Sequence, residues 1–181
     1  MKSLFSRFIA FVLFIFCVPL LLLVGICILL AERKTIIFKQ QRLGLEKKIF
    51  TIYKLRTMTN GKITFIGRIL RKTGIDELPQ LINIIKGDIC FIGPRPLTQL
   101  DVERLGWTEK IYDTRWHVKP GLTGLAQLSP ICHKKMTFFW DSYYAKHKSF
   151  LLDYKIVLAS SLTIILGKAK VKSIIQKRLK K

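Results

Sequence analysis

The first pattern along the chain is a continuous apolar segment near the N-terminus. No charged residue occurs from Phe8 to Ala31, and at about 1.5 Å per residue a straight helix of this length would cross a hydrocarbon core of about 30 Å. Basic residues flank both sides, and Pro19, preceded by Val18, lies near the midpoint. Because proline interrupts a helix and positive charge resists translocation, we predict a membrane-embedded helix over residues 1–33 that breaks near Pro19 and re-emerges on the face it entered.

Two other interpretations of this segment stay open. An ordinary single span can tolerate a central proline, because neighbouring groups satisfy the freed carbonyl. A cleaved signal peptide is the second alternative, although the apolar run exceeds the usual core of about 7–15 residues. No small-x-small cleavage pattern is evident near Ala31.

After residue 33 the pattern changes to short, amphipathic elements separated by Gly, Pro and Asn. Residues 34–167 therefore read as an α+β, mostly helical body on the cytoplasmic side. Aromatic and β-branched residues predict a strand over Lys47–Met58. A period of two places Lys54 and Arg56 on one face of that strand, about 7 Å apart. Asn60–Gly61 then predicts a turn.

Helical spacing and turn residues predict the remaining elements. A short basic helix ends at Gly74, and a second helix, with its apolar residues at helical spacing, ends at Gly87. The stretch "DICFIGPRP" predicts a short strand that enters a loop bracketed by prolines, and "VKPGLTGLAQL" predicts a tight turn at its Pro-Gly. Residues 138–167 predict an interfacial or core helix. The apolar positions of the second helix are Leu78, Leu81, Ile82 and Ile85.

The charge of the chain indicates that this folded body favours anionic partners. The chain has 32 Lys and Arg residues against 11 Asp and Glu, a formal net charge of +21. Residues 168–181 hold seven bases and no acid, with apolar residues on one helical face, which predicts an amphipathic tail on anionic inner-leaflet lipids. A disordered charged tail is the alternative. Since no nucleic-acid-binding signature is present, we expect no nucleic-acid partner.

Two of the few acids, Asp76 and Glu77, lie side by side at the predicted start of the second helix. Acids at this position often only cap a helix, and capping is the simplest interpretation. A carboxylate nucleophile acting on a nucleotide-linked phosphate would instead need a helix N-terminus, a second carboxylate for Mg²⁺ and nearby cations. The chain offers such cations in Lys54, Arg56, Arg68, Arg71 and Arg95.

Several longer motifs, in order, resemble those of the bacterial sugar transferase family, the small monotopic phosphoglycosyl transferases. They follow the proline-containing apolar segment and extend over nearly the whole chain. They read "FKQQRLG", "IYKLRTM", "LRKTGIDELPQLINIIKGDICFIGPRP", "VKPGLTGLAQ" and "DSYYAKHKSFLLDYKI".

The resemblance implies a reaction and a set of site residues. Members of this family move a sugar 1-phosphate from a UDP-sugar to membrane polyprenol (undecaprenyl) phosphate and release UMP, with Mg²⁺ as cofactor. By motif position, Asp76 would be the nucleophile that forms a covalent phosphosugar intermediate, and Glu77 would assist it and help to bind the metal. The resemblance implies Lys54, Arg71 and Arg95 as substrate-binding bases and places Asp141 at a family position, and we add Arg56 because it lies on the same predicted strand face as Lys54. The family's N-terminal helix enters and leaves the membrane by the cytoplasmic face.

The chain also departs from the family pattern at three places. The segment between "KLRTM" and "GRILRKT" is short, and Val18 stands where a serine is common. After "GLTG" the sequence "LAQLSPICHKK" replaces a Trp and an Asn-Gly-Arg run, so that the arginine's task is vacant or passes to Lys134 or Lys135. These departures leave one alternative, a degenerate, non-catalytic membrane adaptor of the same family.

Overall fold

The structure is a computed structural model that describes residues 2–129 and 133–166. It is α+β and mostly helical, as predicted. The helices are α1 (Lys2–Glu32), α2 (Phe65–Thr73), α3 (Gln80–Lys86), α4 (Gln99–Leu105), α5 (Leu125–Leu128), α6 (Lys134–His147) and α7 (Phe150–Leu166). The strands are β1 (Ile37–Leu43), β2 (Ile49–Leu55), β3 (Met58–Thr59), β4 (Lys62–Ile63), β5 (Cys90–Ile92) and β6 (Gly121–Thr123).

The strands form three two-stranded sheets, β1–β2, β3–β4 and β5–β6. The described residues divide into two compact units, the first within residues 1–41 and 50–88 and the second made of residues 42–49 and the described residues from 89 onward. The boundaries predicted at 33/34 and 167/168 stay predictions. The predicted basic tail, residues 168–181, lies outside the described residues.

In the first unit, α1 runs for 31 residues and includes Pro19 without a non-helical residue. It is the one helix of the described residues that is long and apolar enough to cross a membrane. Most of its apolar side chains are exposed, whereas Ala10, Val24 and Ile28 are buried. The helix is therefore not divided at Pro19, and a bend there stays a prediction.

The core of the first unit joins α1 to the strand and helices that follow it. Val24 and Ile28 of α1 form a buried cluster with Leu55 of β2 and Leu70 of α2. α1 also packs against α3. The long apolar helix α1 and the segments on either side of the acid pair thus belong to one packed body.

The predicted strand Lys47–Met58 is shorter than expected and runs from Ile49 to Leu55. Glu46 and Lys47 have φ of 52° and 60°, and this left-handed backbone cannot continue a strand. The turn at Asn60–Gly61 is confirmed, since both residues have positive φ and connect the antiparallel pair β3–β4.

In the second unit, β5 and β6 pair in parallel, with Cys90 opposite Gly121 and Ile92 opposite Thr123. The predicted turn at Pro120–Gly121 is wrong because Gly121 lies within β6. A Cβ on Gly121 would come within 2.1 Å of the Gly93 nitrogen, so the glycine permits a close backbone approach instead of a turn.

The single helical segment predicted over residues 138–167 is two helices, α6 and α7. Ser149 lies between them, and its hydroxyl accepts a hydrogen bond from the Leu152 N–H at 3.2 Å. This serine cap begins a new helix where the apolar pattern alone suggested continuity. Tyr144 of α6 then donates to Asp153 of α7 at 2.8 Å, which holds the two helices together.

Candidate active site

The acid pair lies in a single 3₁₀ turn, Ile75–Glu77, between α2 and α3. Gly74, with φ of 77°, ends α2 and begins this turn, and the Glu77 N–H donates to the Gly74 carbonyl at 3.1 Å. The pair therefore precedes α3 instead of forming its first turn. The predicted end of α3 is confirmed, because Gly87 has φ of 84° and closes the helix with its N–H.

Lys54 of β2 reaches the acid pair directly. Its Nζ lies 2.6 Å from Glu77 Oε1, and the Lys54 side chain is 18% exposed. This ion pair confirms that β2 and the acid-bearing turn are neighbours, as the grouping of Lys54 with the acids required. It also leaves the Glu77 carboxylate in contact with a cation.

Asp76 is more enclosed than Glu77 and is 8% exposed. Burial raises the pKa of its carboxyl above the usual 3.8, and the charge of Glu77 adds to that effect. The positive charges of Lys54 and Arg71 act in the opposite direction and lower the pKa. Asp76 thus faces charged neighbours, with Lys54 and Arg71 as the cations that favour its ionised form.

The other bases predicted near the acids have different positions. Arg71 is on α2, and its Nε donates to the Thr57 hydroxyl at 2.9 Å. Arg56 follows the end of β2, and its guanidinium bonds to Thr35, with Nε 2.7 Å from the Thr35 carbonyl. Arg68 is exposed on α2. The structure therefore brings Lys54 and Arg71 to the acid pair, and Arg56 bonds elsewhere.

Sequence reasoning missed Asn83, a polar residue within the apolar pattern of α3. Its side chain is 0% exposed. The buried face of α3 comprises Gln80, Leu81, Asn83 and Ile84, whereas Ile82 and Ile85 are only half-buried. The predicted apolar face was thus partly wrong. An uncharged polar residue amid apolar ones is the signal that would have pointed to Asn83.

Arg95 and Asp141 lie in the second unit and are linked through Arg115. The Arg115 guanidinium donates to Asp141 Oδ2 at 3.1 Å from Nε and to the Arg95 carbonyl at 2.8 Å from Nη2. The same guanidinium lies over the rings of Trp107 and Trp116. The backbone of Arg95, between two prolines, is thereby held by a buried arginine that sequence reasoning did not identify.

Asp141 is 2% exposed, so its carboxylate is buried within the protein, where it contacts Arg115. Burial raises its pKa to about 6, although the charge and hydrogen bonds of Arg115 lower it. The hydrogen-bonded contact with Arg115 favours the ionised form of this carboxyl. A direct contact of Asp141 with substrate stays a prediction.

Asp76 and Glu77 are the acids that could hold a metal ion in this site. No group of three or more His, Cys, Asp or Glu side chains occurs within residues 2–129 and 133–166. Two carboxylates nevertheless suit Mg²⁺, which commonly takes one or two protein carboxylates together with water and substrate phosphates. The donor set fits a magnesium ion that arrives with a phosphorylated ligand better than a resident metal.

These features define a class of α+β proteins in which an apolar N-terminal helix is packed with an acidic pair and its lysine, a combination suited to phosphate chemistry near a membrane. The chain belongs to the bacterial sugar transferase family, whose model matches residues 1–167. This confirms the resemblance noted from the motifs.

Individual relatives of the chain are sugar transferases from several bacteria. EpsL of Bacillus subtilis, an uncharacterised sugar transferase, is 44% identical over 137 residues, 67% of this chain and 66% of the relative. The UDP-N-acetylgalactosamine-undecaprenyl-phosphate N-acetylgalactosaminephosphotransferase of Aeromonas hydrophila is 33% identical over 168 residues, 82% of this chain and 40% of the relative. The UDP-glucose:undecaprenyl-phosphate glucose-1-phosphate transferase of Caulobacter vibrioides is 40% identical over 124 residues, 61% of this chain and 46% of the relative. The chain thus spans less than two thirds of the length of these relatives.

Proposed function

We propose that the chain is a phosphoglycosyl transferase, which transfers a sugar 1-phosphate from a UDP-sugar to undecaprenyl phosphate and releases UMP. The observation that carries this proposal is the contact of Lys54 with the Asp76–Glu77 turn in the unit that also contains the apolar helix α1. The names of two relatives, which specify UDP-sugars and undecaprenyl phosphate, support the same reaction. The product would be the first membrane-bound intermediate of a surface polysaccharide.

In the first step, an Asp76 carboxylate oxygen attacks the β-phosphorus of the donor. A bond forms between that oxygen and phosphorus, the bond from phosphorus to the bridging oxygen breaks, and UMP leaves with the electron pair. In the second step, a phosphate oxygen of the acceptor attacks the same phosphorus and restores the Asp76 carboxylate. Lys54 and Arg71 favour the ionised, nucleophilic form of Asp76 because both lower its pKa.

Magnesium is the cofactor we propose, with Asp76 and Glu77 as its protein ligands. When bound with the donor, Mg²⁺ would neutralise charge on the diphosphate. Glu77 lies 2.6 Å from Lys54. A bound metal ion could therefore replace the Lys54 ammonium as the positive partner of the Glu77 carboxylate. Lys54 would then be available to the phosphate oxygens of the donor.

The test of this proposal is a screen for UMP release by the purified protein with undecaprenyl phosphate and a panel of UDP-sugars. We expect turnover with at least one donor, and covalent label on Asp76 when the β-phosphate is radioactive and the acceptor is omitted. Asp76→Asn should abolish both signals while the thermal unfolding midpoint stays within a few degrees. A fully active Asp76→Asn variant would remove Asp76 as the nucleophile, and silence of the wild-type protein with every donor would favour the non-catalytic adaptor.

We further propose that α1 is re-entrant, with both ends on the cytoplasmic face. Near its start, Arg7 lies so close to Gly87 that a Cβ there would be 2.1 Å from the guanidinium. Near its end, Ile28 is buried with Leu55 and Leu70. These two positions of α1 are about 32 Å apart along a straight helix, yet both contact the same unit. A helix that crossed the bilayer would carry Arg7 away from that body.

The exposed apolar face of α7 is a candidate for contact with the membrane interface. Phe150, Leu151, Tyr154 and Leu158 are all more than half exposed, and Lys148 and Lys155 lie beside them in the sequence. An apolar face bordered by lysines suits the headgroup region of anionic inner-leaflet lipids. This arrangement supports the interfacial helix predicted for this part of the chain.

A further inference from the structure

The side chain of Asn83 makes three hydrogen bonds within the first unit, all from a fully buried position. Its Oδ1 accepts from the Tyr53 N–H at 3.1 Å, and its Nδ2 donates to the Thr51 carbonyl at 2.7 Å. The second Nδ2 hydrogen reaches Asp88 Oδ2 at 3.1 Å. Both hydrogens of the amide and its oxygen are therefore used.

Two of these bonds go to the edge of β2. In its two-stranded sheet, β2 has one neighbouring strand, β1. The carbonyl of Thr51 and the N–H of Tyr53 are two residues apart, and this is the pair of backbone groups that a further strand would bond. The Asn83 amide thus bonds the same two backbone groups that an additional strand would bond on this edge of β2. Such backbone groups are costly to leave unpaired when they are buried.

Of the two elements that Asn83 joins, β2 carries Lys54, and α3 follows the turn that carries Asp76 and Glu77. Lys54 follows Tyr53 directly on β2, and the Asp76–Glu77 turn leads through Leu78 and Pro79 into α3. Lys54 reaches Glu77 at 2.6 Å only if β2 and α3 keep their relative position. A second link lies on the same side, where Lys86 Nζ donates to the Tyr53 hydroxyl at 3.1 Å, but that link is exposed.

We propose that Asn83 is a positioning residue for the acid pair, because its buried amide fixes α3 to β2 and thereby holds Lys54 against the Asp76–Glu77 turn. This inference rests on the proposed function, because Asn83 can affect catalysis only if the chain carries out the proposed reaction. Its structural content, the coupling of Asn83 to the Lys54–Glu77 ion pair, is independent of turnover.

The experiment compares Asn83→Leu with Leu81→Ala in the full chain, reconstituted in nanodiscs. Asn83→Leu keeps a similar volume and removes all three bonds. Leu81→Ala removes a buried side chain, 4% exposed, from the same helix but leaves the amide in place. Each variant is also combined with Lys54→Met, and the unfolding midpoints of this double-mutant cycle show whether the variant is coupled to the Lys54–Glu77 ion pair. UMP release gives kcat and KM.

We expect Asn83→Leu to destabilise the wild-type protein more than it destabilises the Lys54→Met protein, because only the wild-type protein has a Lys54–Glu77 ion pair to lose. We expect kcat to fall on the order of 10²-fold, with KM within threefold, since small misplacements of a reacting group have effects of that size. Leu81→Ala should lower the unfolding midpoint equally in the two backgrounds.

If Asn83→Leu does not fold, Asn83→Ala removes the same bonds without adding bulk and takes its place. The inference is overturned if the folded Asn83 variant lowers the unfolding midpoint equally in the wild-type and Lys54→Met backgrounds. It is equally overturned if Leu81→Ala shows as large a difference between the two backgrounds as the Asn83 variant does. A wild-type protein that releases no UMP would count against the proposed function alone, because the unfolding cycle still decides the role of Asn83.

Discussion

Asp76 and Glu77 are neighbours in sequence, yet their surroundings differ. Asp76 is 8% exposed and has a raised pKa, whereas the Glu77 side chain is 32% exposed and is paired with Lys54. Different environments for two adjacent carboxylates are a common way to give them different tasks. We therefore propose that the enclosed acid supplies the oxygen that attacks phosphorus, while both acids contact the metal and the ion-paired acid also contacts Lys54.

The pH dependence of activity tests this assignment. Asp76 must be ionised to act as a nucleophile, so kcat/KM should fall as the pH drops through its pKa, which lies above the usual 3.8. Lys54→Met removes a charge that lowers this pKa, and we expect the acidic limb to move to higher pH. The measurement is the pH profile of UMP release.

The matched control for that profile is Lys48→Met. Lys48 is a surface lysine whose side chain is 79% exposed, and it lies 3.6 Å from Glu46. Removing it takes away the same charge at a residue that is not among the charges acting on the pKa of Asp76, so the acidic limb should stay in place. An unchanged limb in Lys54→Met would show that Lys54 does not act on the nucleophile.

Among the secondary-structure elements, α3 connects most of the features described here. It begins just after the acid pair, bonds to β2 through Asn83, and ends at Gly87 beside Arg7 of α1. A guanidinium at the C-terminal end of a helix is favourable for the helix dipole. The packing of α1 on α3 thus has an electrostatic component as well as an apolar one.

Replacing Gly87 tests that contact. Gly87→Ala should lower the free energy of unfolding by about 1–2 kcal/mol for the left-handed backbone, plus a further loss because the new Cβ displaces Arg7. Gly106→Ala is the control, since Gly106 also has positive φ, 70°, but an added Cβ would meet nothing within 4 Å. Thermal and denaturant unfolding in detergent would give the two values.

A double-mutant cycle isolates the Arg7 contribution. In an Arg7→Ala background, the excess cost of Gly87→Ala over Gly106→Ala should disappear, because the displaced guanidinium is no longer present. Persistence of the full excess would mean that the cost arises from the backbone of α3 alone.

Local signals predicted several element boundaries well. Gly74 and Gly87 end their helices, and Asn60–Gly61 forms its turn, because the left-handed conformation strongly selects these residue types. Contacts between distant segments were not predictable in this way. The pairing of β5 with β6 depends on Gly93 and Gly121, which are far apart in sequence, and a Pro-Gly pair has a turn as its default local interpretation.

The same difference between local signals and contacts of distant segments applies to the candidate site. The grouping of Asp76, Glu77 and Lys54 could be inferred from the motifs in which they occur. The partners of Asn83 and Arg115 could not, because only folding brings them near: Thr51 and Tyr53 for the first and Asp141 for the second. Polar side chains in apolar segments carry little local information about what they bond.

For the whole molecule, the testable question is on which side of the membrane each end of α1 lies. In a cysteine-free background, Lys2→Cys and Lys34→Cys should both react with a membrane-impermeant maleimide in sealed inverted vesicles, because the re-entrant arrangement puts both ends on the cytoplasmic face. Labelling before and after detergent lysis provides the measurement. Reaction of only one position before lysis would show a full span.

The packing of α1 with the acid-bearing unit has a consequence for the lipid environment. Because Val24 and Ile28 of α1 are buried with Leu55 and Leu70 in the unit that carries the acid pair, the depth of α1 in a bilayer would also set how high Asp76 stands above the acyl chains. A lipid composition that lifts or lowers this helix would move the acid toward or away from the phosphate of a lipid-linked acceptor. Bilayer thickness would then act as a control on catalytic rate without touching any residue of the protein.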